Sequence, residues 1–160
     1  MRGASRGSDR RMVDPLFVHV TKRLREIAHA FNIHSKYLQE RHDITIPQVI
    51  CLREVHEHGP VTLKELTQIV ALNNSTVSGI VDRLERRELL TRLRSDRDRR
   101  QIHLQITEKG VRFLTEIPPP VPARFVEAVQ RLPQKDVDRI IWAVDTLAAI
   151  LADESGRESS

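Results

Sequence analysis

Residues 62–106 read TLKELTQIVALNNSTVSGIVDRLERRELLTRLRSDRDRRQIHLQI, and the fold turns on how this stretch divides. Thr62 and Glu65 stand three apart, ahead of Leu63, Leu66 and Val70. A threonine hydroxyl can take the amide three residues on while the glutamate reaches back, so this capping box opens a helix. The apolar spacing carries it to about Ala71 and Leu72. Asn73 is a good N-cap for a second helix, whose Val77, Ile80, Val81 and Leu84 recur at helical spacing. Then the period falls to two. Leu89 to Arg94 reads as a strand, and Gln101 to Ile106 alternates polar and apolar as a half-buried strand does. Ser95-Asp96-Arg97-Asp98-Arg99 forms the polar turn between them. The sum is helix, tight turn, helix and arginine-tipped hairpin: a winged helix-turn-helix, in a chain expected to be mainly α with a small β-hairpin wing.

Working outward, residues 1–12 (MRGASRGSDRRM) are rich in Gly, Ser and Arg without periodicity, and read as a flexible basic arm. No apolar h-region follows them, so they are not expected to be a secretory signal. From Asp14 a long helix begins, with Pro15 suited to its first turn. Its Phe17, Val20, Leu24, Ile27, Phe31, His34 and Leu38 alternate in steps of three and four, a stripe that asks for another helix. Thr45-Ile46-Pro47-Gln48 is a further capping box, and its helix stops at Gly59-Pro60. Thr107 can cap a helix that Pro118-Pro119-Pro120 breaks. A short amphipathic piece holds Phe125, Val126, Val129 and Leu132. A last helix carries Val137, Ile140, Ile141, Val144, Leu147, Ala148 and Leu151 as a second apolar stripe. Residues 13–160 are therefore expected to form one domain.

The distribution of charge narrows the partner. The net charge is +4, which permits nucleic acid or an anionic membrane and selects neither. Between Arg83 and Arg100, however, lie eight arginines, whereas from Pro133 onward six acids face three bases. The middle of the chain is suited to an anion. No apolar run approaches the roughly 18–20 residues of a membrane span. The single cysteine cannot form an internal disulfide, which fits a reducing cytosol, and a cytoplasmic protein is expected.

A helix-turn-helix places its second helix in the major groove of duplex DNA. The outward residues at the start of that helix, Asn74, Ser75, Thr76 and Ser78, are polar and small. Asn can read adenine, and Ser or Thr can meet bases or phosphates. Arg83 follows on the same helix. The free amides of the helix start favour phosphate further. At the hairpin tip Arg94, Arg97, Arg99 and Arg100 suit the narrow, negative minor groove, and Asp98 can hold a neighbouring guanidinium in a forked pair. Stacking aromatics are absent here, which argues against single strands or RNA. A non-sequence-specific architectural DNA protein stays open as an alternative.

The run from Val61 to Gly110 resembles the multiple-antibiotic-resistance regulator (MarR) family. The likeness is carried by Ser75-Thr76-Val77-Ser78, Asp82-Arg83-Leu84-Glu85, Asp98-Arg99-Arg100 and Thr107-Glu108-Lys109-Gly110, and extends over roughly residues 17–150. It implies a homodimer whose terminal helices (13–44 and 111–153) interlock around a DNA-binding lobe (45–110). It also implies a recognition helix at 74–87 and a wing at 89–106. On that resemblance Arg100 enters the minor groove and Asp98 orients it. The expected function is a transcriptional repressor on a pseudo-palindromic operator, with half-sites about 10 bp apart. The family usually has glycine where Glu88 stands; a left-handed backbone there would cost on the order of 1 kcal/mol. A finer likeness, in Ile33 to Leu38, Thr45 to Gln48 and Pro118 to Phe125, is to the branch containing regulators of compatible-solute (ectoine) genes.

Other candidate chemistries are weak. His56 and His58 are two apart, so they do not share a helix face, and no second Cys or His pair stands at zinc spacing. Cys51 lies between Ile50 and Leu52, where it reads as a small hydrophobe rather than a redox sensor. Metal or redox sensing is thus the minor alternative. No nucleophile–base set or phosphate-cradling glycine loop appears, so an enzyme is not expected, nor a cofactor. An effector would sit between the terminal helices and the DNA-binding lobe, with Arg23, His34, Tyr37 and His56 as candidate lining.

Overall fold

Pro15 takes the first position of α1 (Pro15–His42), where its missing amide costs no hydrogen bond. The computed structural model describes residues 15–94 and 101–157; the expected arm at 1–12 lies outside them. After α1 come α2 (Ile46–His58), β1 (Val61–Thr62), α3 (Leu63–Val70) and α4 (Asn74–Arg86). Next are β2 (Leu90–Arg94), β3 (Ile102–Ile106), α5 (Glu108–Glu116), α6 (Ala123–Gln130) and α7 (Gln134–Arg157). The expected elements are present, mainly helical with a small sheet.

The sheet is one strand wider than the hairpin read from the sequence. Its order is β1-β3-β2, all antiparallel, with Val61 opposite Leu104 and Thr62 opposite His103. Two residues are too few to show a period. Thr62 also ends its strand by capping α3, so the cap signal masked the strand. In the hairpin proper Leu90 faces Ile106, Arg92 faces Leu104 and Arg94 faces Ile102. Burying Leu90 and Leu104 on one face fixes this register, because a one-residue slip would turn them outward.

One core gathers α2 to α5 with the sheet. Val49, Leu52 and Val55 of α2, Leu66 of α3 and Val77, Val81 and Leu84 of α4 are fully buried. The ends of the long elements differ. α1 buries only His34 and Leu38. The rest of its expected stripe is more open, with Phe17 62% and Ile27 54% exposed. α7 is similar, with Val144 58% and Ile141 53% exposed. These two stripes have helical spacing, and among the described residues nothing fully covers them.

α4 ends in a left-handed turn. The Glu88 amide donates to the Glu85 carbonyl (2.8 Å) and the Leu89 amide to the Leu84 carbonyl (3.0 Å). That is a Schellman motif, and Glu88 supplies its left-handed residue at φ 60°. The turn is stitched to the start of α5. Thr107 Oγ1 donates to the Glu88 carbonyl (2.7 Å), its amide to the Leu89 carbonyl (3.1 Å), and Lys109 Nζ to the Glu88 carboxylate (2.8 Å). Lys109 holds the Glu88 carboxyl below the usual range. Gly110 is required at this seam. A Cβ there would lie 2.7 Å from Ile106 Cγ1 and closer still to the Leu89 carbonyl oxygen.

Glu88→Gly is therefore expected to stabilise the protein by on the order of 1 kcal/mol, since the exposed Lys109 pair it gives up is worth little. Gly110→Ala should destabilise it by roughly 1–3 kcal/mol through overpacking. Urea midpoints at one fixed protein concentration check both; a loss of stability in Glu88→Gly would contradict the strain assigned to this turn.

Candidate nucleic-acid interface

The start of α4 is built by two caps in series. In α3 the Glu65 carboxylate accepts from the Thr62 amide (2.7 Å) and hydroxyl (2.8 Å), while the Glu65 amide donates to Thr62 Oγ1 (3.2 Å). Ala71, left-handed at φ 51°, ends α3. Asn73 then caps α4: its Oδ1 accepts from the Thr76 amide and from the Ser75 hydroxyl, both at 2.8 Å. The tight turn between the two helices is thus locked by side chains on either side.

The residues expected at the major groove fall into distinct roles. Asn74 and Thr76 are exposed. Ser75 is exposed but its hydroxyl is engaged by the cap. Ser78 is half-buried, and Arg83 is exposed further along the helix. Ser75, Gly79, Asp82 and Arg86 share the face opposite the buried Val77, Ile80, Val81 and Leu84. Arg94 is exposed at the end of β2. Arg97, Asp98, Arg99 and Arg100 lie outside the described residues.

Two arginines with unforeseen roles fix α4 in place. Arg92, on β2, forks between two acids of α4: its guanidinium meets Asp82 at 2.6 Å and also pairs with Glu85. This ties the wing's stem to the recognition helix, and the Asp82 hydrogen bond raises the arginine's pKa further. Arg87, at the end of α4, donates to the carbonyls of His42 (3.3 Å) and Asp43, so it caps α1. Its guanidinium also lies 5.1 Å over the Phe113 ring of α5. Sequence separations of 10 and 44 residues give no local signal for either link.

The four effector-pocket candidates are only partly brought together. His34 and Tyr37 stack with centroids 6.3 Å apart and line an open cavity of about 450 Å³ with Ile33 and Arg124. His34 is 9% exposed and its Nε2 lies 2.9 Å from the Pro119 carbonyl; a carbonyl only accepts, so Nε2 carries the proton. Arg23 pairs with Glu26 (2.7 Å) three turns earlier on α1, and His56 is exposed in the last turn of α2. Neither lines that cavity.

A family model described as the MarR family matches residues 44–102. The uncharacterised HTH-type transcriptional regulator YsmB of Bacillus subtilis (strain 168) is 30% identical over 98 residues, covering 61% of this chain and 67% of that one. The chain belongs to the MarR family. The HTH-type transcriptional regulator MhqR of the same organism is 29% identical over 123 residues, 77% of this chain and 82% of that one. Among solved structures, S. aureus MepR in a DNA-binding conformation matches with TM-score 0.66 and 20% identity, over 82% of this chain and 98% of that one. The likeness to MepR is one of fold. The MarR winged helix accounts for the α3–α4 pair and the β2–β3 wing, as the sequence motifs implied. Among the described residues no helix is long and apolar enough to cross a membrane.

In this MarR protein Cys51 is fully buried. Burial, then the charge of Glu54, pushes its thiol up to about 11. A thiol held that high is a poor nucleophile at neutral pH. Unfolded cysteine ionises near about 8.5, so the native chain holds this proton more tightly. The resulting stability is complete below about pH 8.5 and is lost as pH climbs toward about 11. Wild type should lose more stability than Cys51→Ala across that window in urea titrations, and its thiol should resist a disulfide reagent at neutral pH until unfolded. Rapid labelling of the native protein would overturn this placement.

Proposed function

We propose that the protein is a homodimeric transcriptional repressor that binds a pseudo-palindromic duplex, with α4 in the major groove and the wing tip in the minor groove. The observation that carries this reading is the start of α4. There Asn74 and Thr76 project on a helix end anchored from both sides, and within the described residues no side-chain hydrogen bond claims them. An amide and a hydroxyl left unengaged at the mouth of a recognition helix are the groups that read base edges. Membership in a family of regulators, and the likeness to a MepR structure in a DNA-binding conformation, support the same reading. The dimer is supported by the uncovered apolar stripes of α1 and α7, which a second copy would bury.

A bound dimer requires an inverted repeat, with half-sites about 10 bp apart. Footprinting of genomic fragments should reveal that repeat, and Arg100→Ala should weaken binding to it without altering the dimer in size-exclusion chromatography. Uniform protection without sequence preference would favour an architectural protein, and a stable monomer would remove the dimer.

Gly79 gives a second test. A glycine inside a helix costs roughly 1 kcal/mol against alanine. A Cβ added there would meet nothing within 4 Å. Among the described residues nothing requires glycine there, whereas a DNA surface pressed against α4 would. Gly79→Ala should therefore raise the melting temperature and lower operator affinity together. Unchanged affinity would place the DNA elsewhere.

A further inference from the structure

α4 carries different charge on its two flanks. Toward the wing, Asp82 and Glu85 are taken up by Arg92. Toward the start of α2, Arg83 and Arg86 are exposed, and neither meets a carboxylate among the described residues. The Arg86 Nε donates only to a carbonyl of its own helix, that of Asp82 at 3.3 Å.

These two arginines, with Arg87, form one side of an open cleft of about 380 Å³ between α4 and the α1–α2 junction. Gln39, Thr45 and Gln48 form the other side. Arg87 is held by the α1 carbonyls, so it is a fixed wall that lends charge. Asp43 is the one acid in the lining; its carboxylate is shared by Arg87 (4.0 Å) and Gln39 (3.4 Å). Three guanidinium groups against one carboxylate leave the cleft positive, and the Thr45 hydroxyl adds a neutral donor. Gln48 Oε1 is turned to the Thr45 amide (2.9 Å), which fixes that wall.

We infer that this cleft holds a backbone phosphate of the bound duplex, at the wall of the groove that the start of α4 enters. The inference rests on the regulator reading above. Guanidinium pairs beside a hydroxyl are the donors a phosphate takes. Position argues for the backbone over a base. Arg83 lies nine residues beyond Asn74, about 14 Å along the helix axis, and the major groove is only about 12 Å wide. When Asn74 faces base edges, Arg83 and Arg86 stand at the phosphates. Arg83, expected from the sequence to contact the groove, becomes on this reading a positioning contact that carries no base information.

The test compares Arg83→Gln and Arg86→Gln with Arg112→Gln, an exposed α5 arginine that lines a different recess. Fluorescence anisotropy follows the full chain on a selected operator and on a scrambled duplex across a range of KCl concentrations. Each cleft variant should weaken both duplexes alike, by about tenfold at low salt. Each should lower the slope of log affinity against log salt by about 1. The operator-to-scrambled ratio and the circular dichroism spectrum should stay unchanged, and Arg112→Gln should match wild type. A loss confined to the operator, with the slope intact, would make these arginines base readers and overturn the inference. So would an Arg112→Gln variant as weak as the others, or cleft variants that bind as wild type does. Calorimetry with inorganic phosphate separates a free-anion site: tight phosphate binding lost in Arg86→Gln, with DNA affinity unchanged, would also overturn it. A wild-type chain that binds neither duplex would instead defeat the regulator reading, and this inference with it.

Discussion

At the end of α4 the chain must stop being a helix, reverse, and enter the wing within three residues. The Leu89 carbonyl is where this is resolved. It accepts the Thr107 amide, so the start of α5 is fixed to the end of α4. Gly110 packs so close that no side chain fits between. The Leu89 amide meanwhile closes the Schellman turn onto Leu84, and both leucine side chains are buried. One residue thus joins α4, the wing and α5. If it shifted, the angle between α4 and the wing would shift too, and on the proposed function that angle decides whether both can reach adjacent grooves of one duplex.

Arg92 and Arg87 extend the same constraint outward. Arg92 holds the stem of the wing to α4 through two carboxylates, and Arg87 holds the end of α4 to the end of α1. Each guanidinium satisfies groups that would otherwise be poorly placed: two acids on a helix proposed to face phosphate, and the last carbonyls of a long helix. α1 is also one of the two helices with an uncovered apolar stripe. In the proposed dimer, a change at an α1 contact therefore has a short physical route to α4 through Arg87, and another to the Pro119 loop through His34.

Much of this was legible because it is local. Capping boxes, the Asn73 cap and the change of period at Glu88 are encoded within a few residues, and they placed α2 to α5 and the hairpin within a residue or so. The left-handed turn at Glu88 was signalled only by the family resemblance, in which glycine usually stands at that position. β1 was not, because a two-residue strand has no period and exists only by pairing with β3. Arg87 and Arg92 were not, because arginine looks alike in sequence whether it faces solvent, a carbonyl or an acid. In the arginine-rich stretch the sequence showed abundant positive charge. Which of it Asp82, Glu85 and Asp43 neutralise is decided by tertiary contact alone.

Glu88 and Gly79 both break local rules, and their contrast is informative. Glu88 adopts a backbone that disfavours every residue but glycine, and the chain compensates it: Lys109 takes its carboxylate and Thr107 its carbonyl. Gly79 weakens the helix that must be most rigid, and the chain offers no compensation, for nothing crowds the position. A local cost answered inside the molecule belongs to the fold. A similar cost left unanswered among the described residues, on the face opposite the core and one turn beyond Ser75, finds its reason in the proposed function. On that function the reason is the close approach of duplex DNA, and the arginines beside Gly79 complement the charge of its backbone.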